Sequence, residues 1–289
     1  MRVVTGQRTA TNYGTENVGA DGTSVRVFER SLEGPFWSDP LRVKYSFPQL
    51  GSKGYPYVLT KTHCGGRCDQ CPPERYIETH HSFSRQCFQG FRITKNSNGE
   101  LQEVLGRYSK DLVARAVHLI RDPFDNVVSR FHLAYKHFVK RNYTDKIEMY
   151  PRSKEGFRAF CKDLDNRFIK EEKATKFYRD VIDVVKKVPC HADFFRFIQW
   201  HNLALTTTWD LHIPTLILHY ENYTDNFNQT KSMLLDFLNQ DDINDPPLFV
   251  TGKTYRDYFT DEEVQAVFTM FSRLALDITF DHTKHYFDQ

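Results

Sequence analysis

Three short apolar runs in this chain end on side chains that can handle phosphate and protons. Tyr57-Val58-Leu59-Thr60 runs into Lys61-Thr62-His63, Ala116 to Ile120 runs into Arg121-Asp122-Pro123, and Thr215 to His219 runs into Tyr220-Glu221. An arginine leaving a strand and a serine eight residues later, Arg121 and Ser129, can present a fork of donors and a hydroxyl to one phosphate near a helix N-terminus. A histidine beside a lysine at a strand end, His63 with Lys61, suits removal of a proton in a reaction whose developing charge the lysine offsets. Each residue also has a plainer reading. Arg121 can pair with Asp122 or Asp125, Ser129 can be a solvated helix position, and His63 can be a loop histidine satisfied by backbone. Their joint placement after apolar strands favours a site.

The elements that must position these groups follow from pattern. Gly54 and Pro56 bound the first clear strand, and the run Ala116 to Ile120, flanked by charge, is expected to be buried on both faces of a parallel sheet. Asp122 can cap the next helix with Pro123 at its first position, and Val127, Val128, Phe131, Ala134, Tyr135 and Phe138 then recur at helical spacing. The charged stretch 139–190 predicts exposed, peripheral amphipathic helices over Lys154 to Leu164 and Lys176 to Lys187. A buried helix through Phe194, Phe197, Trp200 and Leu203 leads to the strand Thr215 to His219, and Lys231 to Leu238 predicts another helix. Asp245-Pro246-Pro247 reads as a stop, and Thr260-Asp261-Glu262-Glu263 as a capping box opening a last helix through Leu276. One domain over 1–289 is expected, with an irregular part at 1–55 and a core at 56–280. Alternating strands and helices predict a three-layer α/β fold with a central parallel sheet, ligands binding beyond the carboxyl ends of its strands.

Composition narrows the partners. The formal net charge is +2 with a pI near 8.1 and no long basic run, which argues against nucleic acid and for a small anion held by a few placed cations. No stretch approaches about eighteen consecutive apolar residues, and Met1 to Gly6 lacks the apolar core of a signal peptide. Membrane attachment is expected only through an N-terminal anchor that this chain does not carry. Asn142-Tyr143-Thr144, Asn222-Tyr223-Thr224 and Asn228-Gln229-Thr230 match the N-glycosylation pattern, in tension with a cytosolic location. The six cysteines, Cys64, Cys68, Cys71, Cys87, Cys161 and Cys190, favour disulfides in an oxidising lumen. Zinc held through Cys68, Cys71 and nearby His63, His80 and His81, or free thiols, remain the alternatives.

The run from Ile120 through Arg121-Asp122-Pro123 and Ser129 to Phe131 resembles the 3′-phosphate motif of sulfotransferases that use PAPS (3′-phosphoadenylyl sulfate). Leu59-Thr60-Lys61-Thr62-His63 is similar to that family's strand ending in Lys-Thr-His, whose histidine takes the acceptor proton. Trp200, the loop to Pro214 and Leu216 to Glu221 follow the family's order, which implies Tyr220 beside the adenine. Thr251-Gly252-Lys253-Thr254-Tyr255 is a shortened echo of its basic-glycine loop, which implies Lys253 as a second 3′-phosphate cation. The resemblance spans most of 57–278 and, with the cysteine loop and sequons, lies nearer the Golgi-type and WSC-domain-associated members. It implies the three-layer, P-loop-NTPase-like sulfotransferase fold and transfer of a sulfonate group from PAPS to a hydroxyl on a glycan or secreted protein in the Golgi lumen. His63 and Lys61 would be catalytic, Arg121, Ser129, Tyr220 and Lys253 would bind donor, and no metal is expected. The family's first strand and Ser-Gly-rich 5′-phosphosulfate loop have no counterpart in 1–55, where Gly14 to Gly22 lacks their Lys/Arg-Ser-Gly-Thr character. Thr9 to Gly14 is similar to a segment just C-terminal to that loop in WSC-associated relatives, so Met1 is expected to be internal to a longer product. A noncatalytic domain retaining the 3′-phosphate half-site is the alternative. A nucleotide kinase is less favoured, since no G-x-x-x-x-G-K-[ST] occurs.

Overall fold

The computed structural model describes residues 8–11, 14–18, 24–26, 58–62, 64, 77–95, 97–107, 110, 113–172, 179–246, 249 and 252–288. For 8–11, 14–18, 24–26, 58–61, 89–95, 101–107 and 170–171 it describes backbone only. The fold is mixed α/β and mostly helical. Strands β1 (Arg8–Thr11), β2 (Gly14–Val18), β3 (Ser24–Arg26) and β4 (Val58–Lys61) form one sheet in the order β3-β2-β1-β4. The three strands within 1–55 correct the expectation of an irregular segment there. β1 pairs parallel with β4, with Thr11 opposite Lys61, and so lends order to a segment with little apolar periodicity of its own. Helix α1 (His80–Cys87) is followed by an antiparallel hairpin, β5 (Gln89–Lys95) and β6 (Leu101–Arg107), absent from the elements expected above.

Strand β7 (Ala116–Ile120) pairs in parallel with β8 (Thr215–His219), Ile120 opposite His219. These two strands make a sheet separate from that of β1 to β4, so parallel pairing occurs twice among the described residues but in two sheets. His118 and Ile120 are buried while Val117 and Leu119 are 41% and 48% exposed, so β7 is covered on one face and not both. From its end runs α2 (Pro123–Lys140), then α3 (Thr144–Met149), α4 (Lys154–Glu171), α5 (Arg179–Val185) and α6 (His191–Asp210). After β8 come α7 (Asn222–Asp225), α8 (Phe227–Leu238), α9 (Asp261–Leu274) and α10 (Asp277–Asp281).

Helices α4 and α5 are not the exposed periphery that their charge predicts. Phe157, Cys161 and Phe168 of α4 and Val185 of α5 join Phe124, Phe131, Phe194, Phe197 and Phe271 in the main core. A narrow apolar stripe is enough to bury a helix whose other faces are charged. Cys161 is disulfide-bonded to Cys190, the residue that opens α6, and Ala192 N donates to Asp165 Oδ1 at 3.0 Å, tying α4 to the start of α6. A second disulfide joins Cys64 to Cys87, whereas Cys68 and Cys71 lie outside the described residues. No helix among the described residues is long and apolar enough to cross a membrane.

Candidate anion site at the ends of two parallel strands

Because Ile120 and His219 are partners, Arg121 and Tyr220 leave their strands side by side. The exits are laced together: Tyr220 N donates to Ile120 O at 2.8 Å, and Asp122 N donates to Glu221 Oε1 at 3.0 Å. Tyr286, near the end of the described chain, donates to Glu221 Oε2 at 2.6 Å and fixes that carboxylate from behind. Asp122 caps α2 as its sequence position predicts, accepting from Phe124 N at 2.7 Å and Asp125 N at 3.1 Å, with Pro123 in the first helical position.

The Arg121 guanidinium lies over the Tyr220 ring, 4.9 Å from its centroid, and stands 3.9 Å from Asp125 Oδ2. Its Nε is enclosed and has no hydrogen-bond partner, although donors on an arginine are ordinarily satisfied when buried. Gly252 packs on the same group: a Cβ there would sit 3.0 Å from Arg121 Nη2 and 3.5 Å from the Tyr220 hydroxyl. Ser129, half-buried in the second turn of α2, has a hydroxyl without a partner among the described residues. Tyr220, Tyr223 and Phe249 form an aromatic face beside the arginine, with Phe249 centred 5.4 Å from Tyr220 and 5.6 Å from Tyr223.

The nearby acids are tuned toward neutrality. Burial, then the charge of Asp125, pushes the Asp122 carboxyl up to about 7, against its two backbone hydrogen bonds. Burial also raises Asp125, opposed by the Tyr255 N–H, which donates to Asp125 Oδ1 at 2.6 Å, and by Arg121. Lower negative charge at the mouth lowers the repulsion that an incoming anion meets.

Comparison with protein-family models, curated proteins and solved structures finds no match. The chemistry of the site is therefore read from its own residues. Arg121 and Tyr220 are brought to one corner against Gly252, with the exposed Lys253 next in the chain, and Ser129 lies in the second turn of the helix that starts there. Lys61 closes β4 in the other sheet; its side chain and the whole of His63 lie outside the described residues. The residues flanking His63 are anchored nonetheless. Cys64 N donates to Thr62 Oγ1 at 3.1 Å, Thr62 Oγ1 donates to Cys87 O at 3.4 Å, and Cys64 is bonded to Cys87 at the end of α1. Trp200, matched above by order alone, packs in the core against Phe83 and His118 at 6.0 and 5.4 Å. Sequence reasoning missed Phe249 and Tyr286, which reach the site from segments 28 or more residues beyond Glu221 and share no local pattern with it, and it named Gly252 only as part of a loop, not for its packing on Arg121. No group of three or more metal-ligating side chains occurs among the described residues.

Proposed function

We propose that the ends of β7 and β8 hold the 3′-phosphate and adenine of PAPS, and that the chain belongs to a sulfotransferase of the secretory pathway acting on a glycan or secreted-protein hydroxyl in the Golgi lumen. The observation that carries the reading is an enclosed Arg121 Nε without a hydrogen-bond partner at a strand end that leads directly into a capped helix. In this reading Arg121 and Ser129 bind the 3′-phosphate, Lys253 adds a second cation, and Tyr220 with Phe249 faces the adenine. The same reading makes the two parallel strand pairs parts of a three-layer sulfotransferase architecture, and the disulfides fit an oxidising compartment.

In the reaction the acceptor oxygen attacks sulfur as the bond from sulfur to the 5′-phosphate oxygen breaks. His63 takes the hydroxyl proton, Lys61 offsets charge on the bridging oxygen, and 3′-phosphoadenosine 5′-phosphate (PAP) leaves. The test is transfer of labelled sulfonate from PAPS to a panel of secreted glycans and proteins. Transfer that His63→Ala abolishes supports the full reading. PAP binding without transfer supports a noncatalytic nucleotide-binding domain, and preference for ATP over PAP supports a kinase and contradicts both.

A further inference from the structure

Helix α2 carries further polar groups beyond Ser129. Ser129, His132 and Lys136 share one helix face at spacings of three and four residues. His132 packs against the segment that follows Lys253, its ring 5.1 Å from Tyr255 and 6.3 Å from Tyr258. It is only 9% exposed, and its Nδ1 is enclosed with no hydrogen-bond partner. Besides burial, three cations act against its protonation: Arg152 from the turn before α4, Lys253, and Lys136 from its own helix. None of the three has an ion-pair or hydrogen-bond partner among the described residues. The carboxylates in the neighbourhood are engaged elsewhere, Asp125 with Arg121 and the Tyr255 N–H, and Asp257 with Lys154 at 2.7 Å.

Three exposed cations whose charges reach an enclosed imidazole make a local positive potential that attracts an anion. We infer that His132, Lys136 and Arg152, with Lys253 at the border, form a subsite for a tetrahedral oxyanion, a phosphate or sulfate ester group on a second ligand that binds beside the Arg121–Ser129 corner. Ser129 and Lys136 are about 10 Å apart along the helix axis, more than one phosphate spans between backbone positions. The subsite does not depend on the sulfonate-donor reading.

The test follows the imidazole resonances of the intact protein by NMR across pH, with inorganic sulfate added at ionic strength held constant by chloride. Sulfate is expected to bind saturably and to raise the His132 midpoint by about one pH unit, a tenfold preference for the protonated ring. The double variant Lys136→Ala with Arg152→Ala, both at exposed positions, should weaken sulfate at His132 by about tenfold or more. Arg121→Ala should leave the His132 response in place. No response beyond that to chloride, loss of the response in Arg121→Ala, or displacement of sulfate from His132 by PAP would each overturn the separate subsite.

Discussion

Arg121 is held by its face and one tip, on Tyr220 and near Asp125, while its Nε has no partner, so the group is oriented without being saturated. That state depends on Gly252. Gly252→Ala would bring a methyl to 3.0 Å from Arg121 Nη2, and because the guanidinium is the movable party, the arginine rather than the fold should yield. Calorimetry should then show PAP binding weakened by about tenfold, ~1.4 kcal/mol, with the melting temperature nearly unchanged. A different arginine fixes Ser129's helix. Arg130 Nε donates to Asp193 Oδ2 at 3.0 Å, and Arg196 Nη1 lies 3.8 Å from Asp193 Oδ1, with Asp193 only 2% exposed. Asp193→Ala would remove the carboxylate facing two cations in the core, and a loss of about 3–5 kcal/mol is expected in urea denaturation. Of these residues, Arg121, Asp122, Pro123 and Ser129 were legible in the sequence because a strand exit, a cap and a helical offset are local features. Gly252 and Asp193 act through neighbours that only the folded chain brings together.

At the scale of elements, α4 shows where local rules mislead. Its charge reads as solvated surface, yet Phe157 and Phe168 are fully buried, because three turns of apolar stripe face α2 and α6. Gly156, at the third position of α4, accepts no side chain: a Cβ would lie 1.7 Å from Pro151 O. In an open helix Gly→Ala stabilises by about 1 kcal/mol. Here the sign should reverse, and Gly156→Ala should destabilise by about 1–3 kcal/mol through overpacking against backbone, measurable by thermal or urea unfolding. The capping box Thr260 to Glu263 and the Asp122 cap were foreseen because capping is written in four residues. The strands within 1–55 were not, since Gly- and Thr-rich segments gain strand structure from their partners rather than from their own periodicity, whereas the β5–β6 hairpin went unread although Phe91 and Ile93 alternate with polar residues ahead of Asn96-Ser97-Asn98-Gly99.

Across the whole molecule, five of the twelve histidines gather between the β7–β8 sheet, α6 and the C-terminal segment. His118 Nε2 and His201 Nδ1 are 2.6 Å apart, His219 Nε2 and His282 Nδ1 are 3.4 Å apart, and the rings of His219 and His285 are centred 5.0 Å apart. Burial, then the charge of His282, lowers His118 to about 4, and burial, then His285 and His282, lowers His219 to about 4. Between about 4 and the unperturbed 6.5 the unfolded chain binds these protons and the native chain does not, so their contribution to stability is lost as pH falls through that window. Asp122, raised to about 7, and Asp165, raised to about 6, act oppositely: their contribution is present at low pH and lost as pH rises through those values. A variant isolates one side of this contest. His219→Gln should be less stable than the parent at pH 7, and its deficit should narrow as pH falls toward 4.5; a constant deficit would remove His219 from the titration. The Arg121 corner joins the same network through Glu221 and Tyr286, and the proposed 3′-phosphate contact there is tested most directly by a thermodynamic cycle. PAP and adenosine 5′-phosphate are titrated into the parent and into Arg121→Ala. The account predicts a strong preference for PAP in the parent that nearly disappears in the variant, a coupling of about 2 kcal/mol or more for a charge-assisted contact. Equal loss of affinity for both nucleotides, or no preference for PAP in the parent, would contradict it.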